Sequence, residues 1–453
     1  MLTQKLRLKS PLKHNLLSSE GVKFDFAPNA SIMRRIYSLV FYFITPFIVL
    51  RLWWRSLKNP AYRARWSERF GFYKKPYIQN VIWFHAVSVG ESEALFPLIA
   101  LIKQQHPALP LLITTTTPTG SARVKAVLGD SVAHVYLPYD LPDVVERFFN
   151  TFQPQRAVIL ETEIWPNLYH ACAVKHIPLY LVNACLSEKS VRGYQKIPSL
   201  AIPTLKAVTK IATQTDSDKL NFIQIGASAN RIENLGNIKF DVTVEDAVLQ
   251  QGSAFKKQFF DRRFVFLAAS THEGEEALLL SSYKKLKQII PNVILAIAPR
   301  HPERFAHVEM LAKNAQLNVV TRTSQQLCDD KIDIFLIDTL GELKSFYASA
   351  DVAFVGGSFV PIGGHNILEP AGVGVPILVG ANIQNITSIV EKMLAAHAVI
   401  QCDSMTQLET KIVELYFSPQ LRSQLITNAK HVVTQNQGAT ERIYHLLNLE
   451  SVT

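Results

Sequence analysis

A carboxylate set where a strand runs into a helix can be aimed into a ligand cleft, and His85-Ala-Val-Ser-Val-Gly-Glu91-Ser-Glu-Ala puts Glu91 at such a corner. Apolar Leu95, Leu98, Ile99 and Ile102 follow at helical spacing. Glu91 there could act as a general base, provided its surroundings bring its pKa toward the working pH. The competing reading is that Glu91 only favours the positive end of the helix dipole.

Further along, Phe354-Val-Gly356-Gly357-Ser358 is followed by Gly363-Gly364-His365-Asn366-Ile-Leu-Glu369. This is a strand end, a glycine-rich loop and a helix start, whose backbone N–H groups can hold a phosphate while Glu369 reaches ribose hydroxyls. The spacing matches neither GxGxxG nor a P-loop, which disfavours NAD and ATP and leaves a nucleotide with few phosphates. A loop used only for close packing is the alternative. Two more strand ends carry polar clusters, Ser270-Thr271-His272-Glu273-Gly274 and Pro299-Arg300-His301-Pro302-Glu303-Arg304. Arg300 could neutralise a leaving phosphate, or pair with Glu273 or Glu303 as structure. The turn Asp338-Thr-Leu-Gly341-Glu342-Leu343 offers backbone donors at the same edge.

Asp216-Ser217-Asp218 has the Asp-x-Asp form that can bind a metal and a diphosphate, but Asp216 more naturally caps a helix from Ser217 to Ile225. The histidines, His301 and His307 included, lack zinc spacing. Cys172, Cys185, Cys328 and Cys402 form no CxxC and no disulfide framework, which points to a reducing, cytosolic setting.

These corners need scaffolds. From Val81 onward short apolar runs alternate with helical-period stretches, the pattern of parallel sheets covered on both faces. Expected strands are Val81–Val87, Pro110–Thr116, Val132–Leu137, Arg156–Leu160, Pro178–Val182 and Val208–Gln214. After a polar stretch from Gly226 to Lys257 the pattern restarts with Arg263–Ala269, Asn292–Ala298, Ile332–Ile337, Asp351–Val355 and Val375–Val379. Two such α/β domains would place the carboxyl ends of their strands on one cleft.

The formal charge of +10 is local. Residues 1–75 hold 15 Lys and Arg against three acids, whereas the remaining 378 residues hold 32 against 34. Nucleic acid is therefore not an expected partner. The basic segment surrounds the run Ile36–Leu50, 15 residues long, or 19 through Trp54. That is near or below the ~20 residues that span a bilayer. With Trp53, Trp54 and Tyr62 among arginines, a span and an in-plane anchor both fit, and the basic cluster after the run favours a cytosolic body. A buried helical hairpin is the other reading. Residues 1–32 show no period, and Met33 could be the natural start.

Taken together, several strings resemble one family: Arg51-Leu-Trp, Ser67-Glu-Arg-Phe-Gly-Phe-Tyr73, Ser88-Val-Gly-Glu91, Thr117-Pro-Thr-Gly-Ser121, Tyr136-Leu-Pro-Tyr-Asp140, Glu161-Thr-Glu-Ile-Trp-Pro-Asn167, Gly236-Asn-Ile-Lys-Phe-Asp241, Pro299-Arg-His-Pro-Glu-Arg304 and Gly363-Gly-His-Asn366. The family is the 3-deoxy-manno-octulosonic acid (Kdo) transferases, which attach Kdo from CMP-Kdo to the lipid A precursor. The resemblance implies a GT-B fold with an acceptor-binding Rossmann-like domain 61–240 and a CMP-Kdo-binding one 241–453 whose last helix crosses back. Composition adds a membrane anchor 33–60, and the leader 1–32 is a departure on which the family says nothing. The resemblance also implies an inverting enzyme without metal or cofactor, on the cytoplasmic side of the cell inner membrane among its phospholipids.

By the same resemblance Glu91 is the base, Glu161 and Lys239 stabilise the transition state, and Pro299, Arg300, Gly341, Glu342, Leu343, Asn366, Ile367, Leu368 and Glu369 hold CMP. Ser270, Thr271, Gly357 and Ser358 join the donor set, and Ser88, Gly90 and Glu163 the acceptor set. Lys239 carries no signal in spacing alone. Cys185 stands where the family usually has arginine. Two rivals are a UDP-sugar transferase or epimerase on the same fold and a non-catalytic membrane scaffold.

Overall fold

The computed structural model describes residues 28–74 and 78–451. The expected leader lies outside the described residues up to Ala27. Its last residues, 28–32, open the helix Pro28–Lys58.

Two seven-stranded, wholly parallel sheets form the body. The first contains β1 (Ile82–His85), β2 (Leu111–Thr115), β3 (Ala133–Tyr136), β4 (Arg156–Leu160), β5 (Leu179–Ala184), β6 (Lys210–Thr213) and β7 (Ile232–Asn234), in the order β3-β2-β1-β4-β5-β6-β7. The second contains β8 (Phe264–Thr271), β9 (Val293–Pro299), β10 (Val319–Thr321), β11 (Ile334–Leu336), β12 (Val352–Val355), β13 (Ile377–Val379) and β14 (Ile400–Gln401), in the order β10-β11-β9-β8-β12-β13-β14. This is the doubly wound GT-B architecture.

Alternation within the apolar runs sends neighbouring side chains to opposite faces. Trp83, Ala157 and Ile159 join one core; Ile82, Phe84, Val158 and Leu160 join another across the sheet. In the second lobe Phe264, Phe266 and Ala268 separate from Val265, Leu267 and Ala269 in the same way. The polar stretch after Gly226 is not a simple boundary: it contains β7, the edge of the first sheet, and the helix Asp246–Phe259. The last helix, Ala439–Leu447, packs on the first lobe, where Ala439, Ile443, Leu447 and Leu449 complete a core with Ile82, Phe84 and Ile113.

The N-terminal helix is longer than the apolar run read from sequence. Ser31–Leu57 is long and apolar enough to cross a membrane. Its outward face is apolar, with Leu39, Phe43, Phe47, Leu50 and Trp54 exposed, while Ser38, Thr45 and Ser56 are buried. It packs on the helices Pro166–Val174 and Pro198–Lys206. Arg34 Nη1 and Ser38 Oγ donate to Asn167 Oδ1 at 3.0 and 3.1 Å, and Tyr42 donates to Asp143.

Candidate active site

In the first sheet the strand order reverses between β1 and β4; in the second the chain crosses the sheet between β8 and β12, with β10 and β11 exchanged at the far edge. Loops leaving neighbouring strands there diverge to opposite faces and open a crevice. Glu91 follows β1, and Glu161 and Glu163 follow β4, so the first reversal gathers three carboxylates.

Ser88 caps the helix Val89–Gln105, its Oγ accepting the Glu91 N–H at 3.4 Å. The Glu91 carboxylate reaches back to accept the Val87 N–H at 2.8 Å and the Ser88 hydroxyl at 3.1 Å, a reciprocal capping box. Both sequence readings of Glu91 thus meet in one residue, since it caps the helix and also faces the crevice. Burial and then the charge of Glu161 push its pKa up to about 7, against the two bonds that favour its ionised form. Gly90 is exposed, and a Cβ there would meet only Ser88 Oγ, at 3.9 Å.

Glu161 sits in the left-handed region, φ +58°, a costly conformation for a non-glycine residue that the surroundings must hold. Its amide donates to Val182 O at 3.0 Å, and its carboxylate accepts Lys239 Nζ at 2.7 Å. Burial opposes the charge on Lys239, but Glu161 outweighs it and the lysine pKa rises. The turn carrying Lys239 is itself held. Asn237 Oδ1 accepts the Lys239 N–H, and Asn183 Oδ1 accepts the Ile238 N–H at 3.0 Å. Glu163 accepts Trp165 Nε1 at 2.9 Å, and burial raises its pKa. Glu161 to Trp165 form a strap from β4 to the helix Pro166–Val174, and Asp140 anchors its far end by accepting the amides of Asn167 and Leu168 at 3.0 and 2.8 Å. Cys185 lies beside the strap, its carbonyl accepting the Thr162 hydroxyl, and burial pushes its thiol up to about 12.

The second lobe corrects the phosphate-loop expectation. The amides of Gly357, Ser358 and Phe359 point at Glu275, at 2.8, 3.1 and 3.0 Å, so a carboxylate from the helix Glu275–Ile289 already occupies that cradle. Ser358 is fully buried, its hydroxyl bonded to Val355 O and Gly380 N. Thr271 is likewise buried and donates to Glu276. Gly357, Ser358 and Thr271 therefore stiffen the site from beneath rather than presenting donors to it, whereas Ser270, at φ +55°, stays half-buried beside them.

Arg304, not Arg300, takes the ion pairs, with Glu276 at 3.1 Å and Glu273 at 3.4 Å. Arg300 is exposed and has no ion pair among the described residues, and Pro299 ends β9 immediately before it. Glu369 is pushed up chiefly by burial, and it feels Lys344 and Arg300 of its own lobe together with Glu93 and Arg123 of the other, so it faces the cleft. Leu368 N donates to Asn366 Oδ1 at 3.0 Å, with Ile367 buried between. Glu342 precedes the helix Leu343–Ser349 and is fixed by Arg322 at 2.9 Å, while Gly341 before it has φ +88° and an open surround.

Thr215, rather than Asp216, caps the helix Asp216–Gln224, and Asp218 is spent on the Leu186 amide and the Thr215 hydroxyl. No group of three or more His, Cys, Asp or Glu suited to a metal occurs among the described residues.

A family model described as 3-deoxy-D-manno-octulosonic-acid transferase matches residues 64–242. A 3-deoxy-D-manno-octulosonic acid transferase of Haemophilus influenzae is 36% identical over 91% of this chain and 98% of its own length. The chain belongs to the Kdo transferase family. A Bordetella pertussis transferase of the same description is 32% identical over 90% of this chain and 97% of its own. As a Kdo transferase family member the chain is a glycosyltransferase. Fold likeness extends further, to Anabaena HepE in complex with UDP and glucose (TM-score 0.53, 14% identity, covering 82% of this chain and all of that one) and to UDP-GlcNAc 2-epimerase of Neisseria meningitidis (TM-score 0.50, 14% identity, 81% and 99%). In this Kdo transferase family member Lys239, named through the resemblance and not by its spacing, meets a partner, Glu161, that lies 78 positions away.

Proposed function

We propose that this chain moves Kdo from CMP-Kdo to a lipid A precursor at the cytoplasmic face of the inner membrane, inverting the anomeric centre and using no metal. The observation that carries the mechanism is the Glu91 carboxylate at the β1/β4 reversal, brought to about 7 by burial and Glu161. A base of that pKa takes a proton efficiently near neutrality. The acceptor hydroxyl, touched by Ser88, Gly90 and Glu163, gives its proton to Glu91 as its oxygen attacks the anomeric carbon of Kdo. The bond from that carbon to the phosphate oxygen breaks, and CMP leaves with the electron pair.

Lys239, held by Glu161, lies close enough to feel Glu91, and we assign it to the charge that builds up in the transition state. Arg300 meets the departing phosphate, while Pro299, Gly341 to Leu343 and Asn366 to Glu369 hold the cytidine nucleotide. The outward apolar face of the N-terminal helix, flanked by Arg34, Arg35, Arg51 and Arg55, supports seating the first lobe on anionic phospholipid, where a glycolipid acceptor resides.

The test is turnover of CMP-Kdo, generated in situ, with tetraacylated lipid A precursor and no divalent metal, comparing the native chain with Glu91→Ala. Product from the native chain alone, with CMP binding kept in the variant, supports the reading. Equal turnover by both removes Glu91 as base, and no turnover by either, with UDP protecting the fold better than CMP, moves the donor to a UDP-sugar.

A further inference from the structure

Three histidines from three different strand ends meet above the second sheet, and neither the base nor the nucleotide contacts use them. His272 follows β8, His301 follows β9 and His365 follows β12. His272 and His365 stack with centroids 5.0 Å apart and planes 9° from parallel, and their Nε2 atoms lie 2.7 Å apart. His301 meets His272 edge-on at 5.5 Å. Gly357, at φ +68°, leaves the room: a Cβ there would come within 3.1 Å of the His365 ring.

The charges around the cluster are one-sided. Arg300, His301 and Arg304 face the pair. Of the nearby acids, Glu275 is spent on backbone amides, Glu273 and Glu276 are spent on Arg304, and Glu369, raised by burial, feels Arg300 without forming an ion pair with it. Arg300 is left without an ion pair among the described residues, so the pocket's field awaits an anion. Burial, followed by Arg300, holds the His365 ring down at about 4, and burial chiefly lowers His272 as well, so both rings enter the site neutral, each with one N–H. An N–H between two nitrogens 2.7 Å apart is a donor held in reserve.

We propose that His272, His301 and His365, gathered beside Arg300, form the subsite that receives the carboxylate of the donor's sugar acid. This rests on the donor reading above. A nucleotide-activated sugar acid brings two anions, the phosphate and the carboxylate. Arg300 answers the first with a fixed charge. A further fixed cation beside it would cost repulsion in the empty cleft, whereas neutral imidazoles parked on each other do not. The arriving carboxylate separates the pair and accepts one N–H from each ring. An uncharged hexose has nothing to accept them, and opening the pair would leave the donors unmet, so the subsite also selects against such donors.

Donor KM in CMP-Kdo turnover and CMP affinity by calorimetry test this together, in the full-length chain. His365→Phe keeps the stack but removes the nitrogens. It should raise donor KM by about tenfold, as loss of a bond to a charged group does, while leaving CMP affinity within about twofold. His365→Gln, which keeps a donor, should recover most of the loss. Equal weakening of CMP and CMP-Kdo assigns the rings to the phosphate and overturns the proposal, as does no change in either. If His365→Phe folds poorly, His301→Phe on the exposed side, which also removes the nitrogens, carries the same comparison. A native chain that does not turn over CMP-Kdo defeats the donor reading first and this subsite with it.

Discussion

Lys239 Nζ rests 2.7 Å from Glu161 Oε1, joining a turn after β7 to the end of β4. The pair acts on a third residue, because Glu161 raises the pKa of Glu91 and Glu91 in turn raises that of Lys239. A base must be unprotonated to work, so kcat/KM should climb with pH through about 7. Glu161→Gln removes an anion and frees a cation, and both changes favour ionised Glu91. The rising limb of the pH–rate profile should therefore move to lower pH even as the maximum falls. A limb that stays in place or moves up would dismiss the coupling.

Glu91 is both cap and base, and two substitutions separate the roles. Glu91→Gln keeps an oxygen for the Val87 amide, so stability should hold while turnover drops by roughly 10²- to 10⁴-fold. Ser88→Ala removes the cap and should cost about 1 kcal/mol of stability, with a smaller loss of rate. Denaturant melts beside initial rates check both. Equal stability losses in the two variants would contradict the assignment.

Glu275 fills the cradle once expected to hold phosphate. Glu275→Ala strips an acceptor from the amides of His272, Gly357, Ser358 and Phe359. Buried unsatisfied donors cost about 1–3 kcal/mol each before water enters, so the second lobe should lose at least 3 kcal/mol or so and melt first. If Glu275→Ala instead keeps its stability and gains affinity for inorganic phosphate, the carboxylate was only a placeholder.

Phe43 and Phe47 are each 71% exposed on the outward face of the N-terminal helix. Replacing both with Asp should abolish co-sedimentation with anionic vesicles and leave the melting temperature of the body unchanged. Retained binding by the double variant would place the contact elsewhere.

His85 is fully buried, with Nδ1 bonded to Thr114, and burial lowers its pKa to about 4. The unfolded chain takes a proton on this ring as pH falls below about 6.5, and the folded chain resists until about 4. Stability from this group is complete above about 6.5 and lost on the way down to about 4, on the order of 3 kcal/mol. His85→Asn should flatten that part of a melting-temperature profile against pH, and an unaltered slope would show that other groups set it.

The body of each sheet was readable because strands buried on both faces must be continuous apolar runs; β4, Arg156–Leu160, was found to the residue. The edge strands β7, β10 and β14 have no expected counterpart because they are both short and only partly buried, unlike the equally short β11 and β13, which are buried throughout and lie in longer apolar runs. The site divided along another line. Glu91 announced itself through its local place, a carboxylate at the corner where an apolar strand runs into a helix. Lys239 acts through a partner 78 positions away, and the glycine loop was misread because the carboxylate filling it lies 82 positions earlier. Such long-range pairings leave no mark in local spacing.

Asp241 accepts the amides of Gly438 and Thr440 at 2.6 Å each, pinning the outward and returning passages of the chain to one another. Beyond that pin, Ile443, Leu447 and Leu449 close the first lobe's core. On the ribosome the lobe made first is therefore finished last. At about 5–20 residues per second, its apolar flank waits on the order of ten to forty seconds while the second lobe emerges. A chain stalled before Ala439 would leave that flank open, the very surface by which quality control could tell a partial product from a finished one.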